Sequence, residues 1–460
     1  MEMESKLLFR EELDTLRRLR NQALTFTARN EALRGVERML IEGERQLVEA
    51  EWQDLHKAPA ETFFAEIDQT LREVRLFRRR LRRWAAPKRA GFSIAHFGTR
   101  GRVVAEPYGV VLVMSPWNYP IGLSLQPTVA AIGAGNRVVL SVSPRARATA
   151  EVLRTLASRY VSSDVLRVVP ADVPDAKYVH TYQYDYVFYT GGASFGRSVA
   201  QYAAGWLCPC TLELGGKSPA IVYGERHLER TAKRIAWGKW LNAGQTCVAP
   251  DYILAERSIA SRLAELLAQR AKECFGENAE ASRDYGRIID ESSVERLGRL
   301  LEGVECLYGG QVIAERRYVA PTIIYDPPLT HPIMQEEIFG PLLPILPIDS
   351  LQEAIDYINV GERPLAVYFF GRDSDFRAVV VGTRSGGVCS GDSITHITHP
   401  GLPFGGIGAS GYGNYHGRAG FETFTHRKSV LDASRSPEIG LRYPPYKELR
   451  RVKRFLRLVR

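Results

Sequence analysis

Cysteine is scarce, six residues in 460. That is too sparse for a disulfide framework, and a reducing, intracellular compartment is the expectation. Long apolar runs are missing as well. The run Gly109 to Met114 is typical and falls well short of the roughly 18 residues that a membrane-spanning helix requires. The opening MEMESKLLFREELDTLRRLR mixes charges of both signs and lacks the apolar centre of a secretory signal. Internal repeats and low-complexity tracts are absent. With 45% apolar and 25% charged residues, disorder, collagen and a disulfide-dense miniprotein are excluded. Acidic residues number 52 against 61 basic ones, a formal net charge of +9. That balance favours anionic partners such as nucleotides, nucleic acid or acidic membrane surfaces, and where the charge sits says more than its sum. The length fits two or three domains.

What is present organises the chain. Up to about residue 85, apolar positions recur at steps of three and four among Arg and Glu, as in Leu16, Leu19, Leu24 and Leu71, Val74, Phe77, Leu81. This predicts helices, interrupted at Pro59, with the basic run Arg78–Arg83 as a solvated face. Residues 86–107 carry Gly91, Gly98 and Gly101 between short alternating stretches, a hairpin-like arm. From 108 the pattern alternates: strands at Gly109–Met114, Arg137–Val142, Val165–Val169 and Tyr186–Tyr189, with helices near 124–134 and at Ala146–Tyr160. Alternation of this kind predicts a parallel sheet with helices on both faces, binding ligands beyond the strands' carboxyl ends. A second α/β stretch runs from about 215 to 412.

Four segments carry chemistry. In Ser115-Pro116-Trp117-Asn118-Tyr119-Pro120, Asn118 offers an amide donor on a proline-stiffened loop after a buried strand, suited either to a developing oxyanion or to an ordinary turn. In Leu212-Glu213-Leu214-Gly215-Gly216-Lys217-Ser218-Pro219, Glu213 among apolar neighbours is either a base near neutrality or half of a salt bridge. In Asn242-Ala243-Gly244-Gln245-Thr246-Cys247, a cysteine follows a glycine turn; alone it reads as a small buried hydrophobe. Gln335-Glu336-Glu337-Ile338-Phe339-Gly340-Pro341 and Leu402-Pro403-Phe404-Gly405-Gly406 read separately as loops.

Together these strings (PWNYP, LELGGKSP, GQTCVAPDY, EEIFGP and LPFGGIG), in this order and spacing, resemble the aldehyde dehydrogenase superfamily over about residues 10–445. PWNYP and the ending GYGNYHGRAGFETFTHRKSV look most like its class 3 branch. The resemblance implies an α/β fold: a Rossmann-like cofactor domain (1–85 and 108–214), an α/β catalytic domain (215–412) and a β-hairpin bridging arm (86–107 and 421–435) that builds a homodimer. It implies oxidation of an aldehyde to its acid with NAD or NADP. Cys247 would be the nucleophile, Asn118 with the Cys247 backbone N–H the oxyanion cradle, and Glu213 the base for deacylation. Trp117, Glu337 and Phe339 would meet the nicotinamide side. The turn Gly191-Gly192-Ala193-Ser194-Phe195-Gly196 would receive the pyrophosphate at a helix start. Tyr119, Trp237 and Phe404 would line an aromatic tunnel for medium-chain aliphatic or aromatic aldehydes. No metal is implied.

The sequence departs from the family after the strand 137–142. The expected Lys and Glu at the adenosine ribose are Ser141 and Pro144. Loss of the carboxylate removes an acceptor for the ribose hydroxyls and the repulsion of a 2′-phosphate, so Arg145 or Arg147 becomes a candidate for that phosphate, with relaxed or NADP-leaning use. A scaffold that keeps the fold without turnover, and a variant passing its acyl group to coenzyme A, stand as alternatives. The four core residues argue against the first and Glu213 against the second. Cys208-Pro209-Cys210 is too tightly spaced for a usual zinc pair. His396 and His399 fall, by family position, near the substrate entrance. The tail Lys447–Arg460 places Leu449, Val452, Phe455, Leu456 and Val459 on one helical face among basic residues. That basic amphipathic pattern suits either an anionic membrane surface or a helix covering the substrate mouth or the partner subunit. The expected location is cytoplasmic, with peripheral membrane contact through the tail as the open variant; no nucleic-acid recognition module is evident.

Overall fold

The computed structural model describes residues 11, 13–93, 96–170, 179–225, 227–438, 443–444, 450, 453–454 and 457. The N-terminal region is helical. Thr25 caps the helix Phe26–Glu42 by accepting from the Ala28 N–H at 3.2 Å, the expected use of a threonine at that position. The helix Glu44–Leu55 follows. Pro59 then opens the short helix Pro59–Thr62, where its missing N–H costs nothing. The chain passes through one π turn, Phe63–Ile67, into Asp68–Ala85. Leu71, Val74, Phe77 and Leu81 are buried there, as their spacing predicts. The basic face is solvated at Arg79, Arg80 and Arg83, whereas Arg78 pairs with Glu37 and the Arg82 guanidinium lies 4.9 Å from the Phe26 ring centroid.

Two large sheets follow. The first has six strands in the order Gly411–Tyr412, Cys210–Glu213, Tyr186–Thr190, Val110–Ser115, Arg137–Val142, Leu166–Val168, parallel except at the Gly411–Tyr412 edge. Val110–Ser115 and Arg137–Val142 are buried along their whole length, which is why they read as mainly apolar rather than alternating. The chain starts in the middle, at Val110–Ser115, and moves outward to Leu166–Val168. It then crosses back to lay Tyr186–Thr190 on the other side. This reversal leaves a crevice beyond the carboxyl ends of Val110–Ser115 and Tyr186–Thr190.

The second sheet has seven strands, ordered Cys306–Tyr308, Thr322–Tyr325, Leu342–Ile348, Tyr252–Glu256, Pro219–Tyr223, Ala366–Gly371, Gly387–Ser390. Only the Cys306–Tyr308 edge is antiparallel. The segment 214–218 leads from the carboxyl end of one first-sheet strand to the start of a second-sheet strand, so the two sheets meet end to end.

A third sheet contains the hairpin pair Lys88–Arg89 and Arg100–Pro107, joined by Thr425–Asp432 in an eight-residue antiparallel register. The hairpin matches the sequence expectation for 86–107. Of the C-terminal tail, Arg450, Lys453, Arg454 and Arg457 are described and exposed; the expected apolar face of 447–460 lies outside the described residues. Among the described residues, no helix is long and apolar enough to cross a membrane.

Candidate active site

Four of the sequence-selected segments converge where the sheets meet. Asn118 follows the strand Val110–Ser115 and is buried. Its side-chain Nδ2 donates to the Gln245 carbonyl at 2.9 Å. Its own carbonyl accepts from Asn242 Nδ2 at 2.7 Å and Lys57 Nζ at 3.1 Å. Asn118 is therefore not a solvent-facing turn residue: it bridges to the segment that carries Cys247.

That segment is tightly wound. Asn242, Ala243 and Gly244 all have positive φ (52°, 51° and 77°), a left-handed turn that costs two non-glycine residues backbone strain. Gly244 is obligatory, because a Cβ there would lie 2.2 Å from the Gly340 carbonyl oxygen. Cys247 follows, on the wall of a cavity of about 450 Å³. Burial pushes its thiol up to about 12, and the nearby carboxyls of Glu337 and Glu213 push the same way; the backbone N–H groups of Cys247 and Val248 act in the opposite sense.

Glu213 ends the strand Cys210–Glu213 and is 2% exposed. Among the described residues its carboxylate oxygens make no well-formed hydrogen bond and no ion pair, with only the Gly406 backbone N–H near enough to favour the charged form; this excludes the salt-bridge reading. Burial raises it well above the ordinary carboxylate range. Glu337 is pushed up to about 7, chiefly by burial. Its carboxylate packs against Gly215, where a Cβ would come within 2.2 Å of Oε2. Lys217 knits these strings together: its Nζ reaches Asp251 Oδ2 at 2.5 Å, the Ile333 carbonyl at 2.9 Å and the Glu336 carbonyl at 2.8 Å.

The cofactor-side candidates also gather. Trp117 and Phe339 meet edge to face with ring centroids 5.4 Å apart, and Phe339 holds a left-handed φ of 46°. Gly191 and Gly192 lead into the helix Ala193–Gly205, whose N-terminus has no side-chain cap. A Cβ on Gly191 would lie 2.3 Å from Tyr189 Oη, and one on Gly196 would lie 2.7 Å from a Leu214 methyl. Close helix–strand packing and free N–H groups at a crevice fit a dinucleotide pyrophosphate, with Ser194 exposed and Ala193 and Phe195 half-buried in the first turn.

One expectation needs revision. Arg145 is not free for a 2′-phosphate. It binds Asp290 Oδ2 at 2.8 Å through Nε and Ser293 Oγ at 2.7 Å, and its guanidinium lies 4.7 Å from the Trp117 ring centroid. Arg147, exposed at the start of its helix, keeps that candidacy.

The cavity beside Cys247 is lined by Tyr119, Trp237 and Phe404, the aromatic residues expected there. His399 also lines it, whereas His396 packs edge-on against Tyr368 at 5.8 Å. Sequence reasoning passed over Gln245, fully buried and accepting from Asn118, and over Lys57. Nothing in the local pattern around Lys57 separates a buried ammonium from the solvated lysines of a charged helix.

A Rossmann-like sheet abutting a second α/β sheet, with a cysteine, a carboxylate and an amide at the seam, defines a nicotinamide-dependent dehydrogenase of aldehydes. The chain belongs to the aldehyde dehydrogenase family, whose model matches residues 18–430, and it oxidises aldehydes with NAD or NADP. It is 42% identical to a mouse protein named "Aldehyde dehydrogenase, dimeric NADP-preferring" over 420 residues, covering 91% of this chain and 93% of that one. It is 40% identical to rat "Aldehyde dehydrogenase family 3 member B1" over 445 residues, 95% of each. The solved structure of Staphylococcus aureus AldH in a substrate-bound state superposes with a TM-score of 0.91 at 36% identity, covering 99% of this chain and 98% of that one.

Proposed function

We propose that Cys247 is the nucleophile of this dehydrogenase, that Asn118 Nδ2 and the Cys247 backbone N–H cradle the oxyanion, and that Glu213 activates the deacylating water. The observation that carries this reading is the buried Glu213 carboxyl, without an ion-pair partner among the described residues, near the half-buried Cys247 thiol. A group so placed has a cost in stability that a catalytic proton transfer explains. Cys247 gives up its proton to solvent and its thiolate adds to the aldehyde carbonyl. The oxyanion forms against two N–H donors fixed before reaction. When bound, NAD or NADP supplies the hydride acceptor. Hydride loss leaves an acyl thioester on Cys247. Glu213 then draws a proton from water as the water attacks; the C–S bond breaks, the acid departs, and Glu213 returns that proton to the leaving Cys247 sulfur.

Trp117, Glu337 and Phe339 would hold the nicotinamide side, and Gly191, Gly192, Ala193, Ser194, Phe195 and Gly196 the pyrophosphate. We assign the first sheet with the N-terminal helices to the cofactor unit, the second sheet to the catalytic unit, and the three-stranded sheet to a bridging arm. A homodimer through that arm agrees with the word "dimeric" in a relative's name. That name's "NADP-preferring" agrees with Ser141 and Pro144, which leave no carboxylate at the expected adenosine position. The aromatic lining of the cavity favours medium-chain aliphatic or aromatic aldehydes. The basic tail keeps two readings, peripheral contact with an anionic membrane or a helix over the substrate mouth or the partner subunit; liposome co-sedimentation of the full chain against a 1–445 truncation tests the first, and equal, negligible binding rejects it. For the activity itself, a panel of aliphatic and aromatic aldehydes is assayed with both nucleotides. Oxidation abolished by Cys247→Ala with the fold intact supports the assignment; oxidation that survives it rejects Cys247.

A further inference from the structure

A group of charged side chains is sealed beneath the site. Lys57, Glu51 and Glu66 are fully buried, and Glu61 nearly so. Lys57 Nζ pairs with Glu66 and lies 3.2 Å from Glu51 Oε2. Burial alone would lower the ammonium, yet Glu51, Glu66 and Glu61 around it raise it above the ordinary lysine range, so Lys57 is charged. Replacing a buried ion cluster with apolar residues of similar volume is often neutral or stabilising, so stability is a poor account of this one.

The bonds this cluster makes to other parts of the chain are more informative. Lys57 Nζ donates to the Asn118 carbonyl at 3.1 Å and sits 4.4 Å from the Tyr119 ring centroid. Glu66 Oε2 accepts from the backbone N–H groups of Ile121 and Gly122 at 2.8 and 2.9 Å. Glu61 Oε1 accepts from the Asn242 N–H at 2.6 Å, inside the left-handed turn before Cys247. Among the described residues, these outward bonds all end on the two loops of the active site. The Asn118 loop is held at two points that follow its side chain: at the Asn118 carbonyl by Lys57, and three and four residues later, where the helix Gly122–Ala134 begins, by Glu66.

We infer that Lys57 is a positioning residue for the oxyanion donor: with Glu66 it fixes the Asn118 backbone so that Nδ2 points where the oxyanion develops. The inference rests on the reading that Asn118 cradles the oxyanion. Lys57 touches neither substrate nor cofactor. It acts through a loop whose amide must be set before reaction, because donors that reorganise during the step forfeit much of their stabilisation.

The test is a double-mutant cycle on kcat, with Lys57→Met, Asn118→Ala and the pair. Lys57→Met is expected to lower kcat about tenfold or more, since one oxyanion donor is typically worth at least that. The KM for the nucleotide and the rate of Cys247 alkylation by iodoacetamide should stay within about twofold, because neither needs the oxyanion donor. In the Asn118→Ala background, Lys57→Met should cost less than about twofold. Glu66→Gln keeps an acceptor for one backbone N–H but removes the counterion, and it carries the same cycle if Lys57→Met does not fold. Losses that multiply independently overturn the inference, as does a matching fall in alkylation and nucleotide affinity, which would mark a merely structural role. An Asn118→Ala enzyme with full kcat removes the oxyanion reading itself, and this inference with it. That outcome is recognisable because it appears in the single variant, before the cycle is closed.

Discussion

The Asn118 side-chain amide donates to the carbonyl of Gln245, two residues before Cys247, at 2.9 Å. One of its two N–H bonds is thereby committed to the cysteine segment, and the other has no acceptor among the described residues. This ties the Asn118 side chain to the segment that carries Cys247. Replacing Asn118 with Ala removes both N–H groups. The expected loss in kcat is about 10²–10³-fold, with the nucleotide KM little changed. Steady-state kinetics decide it, and a variant within threefold of wild type would contradict the assignment.

Gly215 is a second leverage point, through space rather than bonding. A methyl there would sit 2.2 Å from Glu337 Oε2, so Gly215→Ala must push that carboxylate aside. If Glu337 holds the nicotinamide ribose, the nucleotide KM should rise about tenfold, the scale of one lost charge-assisted hydrogen bond. Iodoacetamide should still alkylate Cys247. An unchanged KM would place Glu337 outside the cofactor site.

Stability should fall as pH rises, and Glu73 is one identifiable cause. Burial raises it to about 7 from an ordinary 4.5, partly offset by the Gly417 N–H, which donates to it at 2.7 Å. The folded state therefore holds a proton that the unfolded chain releases first. The stability conferred is complete below about 4.5 and is lost as pH climbs to about 7, then levels. Glu73→Gln keeps an acceptor for Gly417 and does not titrate. Relative to wild type it should gain on the order of 1–3 kcal/mol between pH 5 and pH 8. Thermal melting at both pH values checks this; a difference independent of pH would reject it.

Arg147 is the proposed partner of a 2′-phosphate, since Arg145 pairs with Asp290 and Ser293. Arg147→Gln should lower kcat/KM with NADP about tenfold, the value of a charge-assisted phosphate contact, and leave NAD nearly untouched. Equal effects on both nucleotides would remove the 2′-phosphate from the account.

The sequence was most informative where burial is two-sided or where glycine is forced. Arg137–Val142 carries the apolar stretch Val138–Leu140 between Arg137 and Ser141, is flanked by turns, and the strand has those very bounds. Thr425–Asp432 is mostly exposed and offers no apolar face to read; its place in the arm came from the resemblance, and its pairing with Arg100–Pro107 is a tertiary fact. The catalytic strings were legible because several unusual residues fall close together. Lys57 and Gln245 were not, because burial of a single polar side chain leaves no periodic trace. Arg145 was misjudged for a related reason: its partner Asp290 lies 145 residues away, beyond any local pattern.

The central claim is a covalent bond between Cys247 and the acyl group. Glu213→Gln removes the base for deacylation and should let that species accumulate. The variant is mixed with an aromatic aldehyde and the oxidised nucleotide, quenched in acid during turnover, and its peptides are mapped by mass spectrometry. The account predicts one acyl group on the peptide bearing Cys247, with reduced nucleotide formed in a burst of about one per active site. An unmodified Cys247, or an acyl group on another residue, would contradict it.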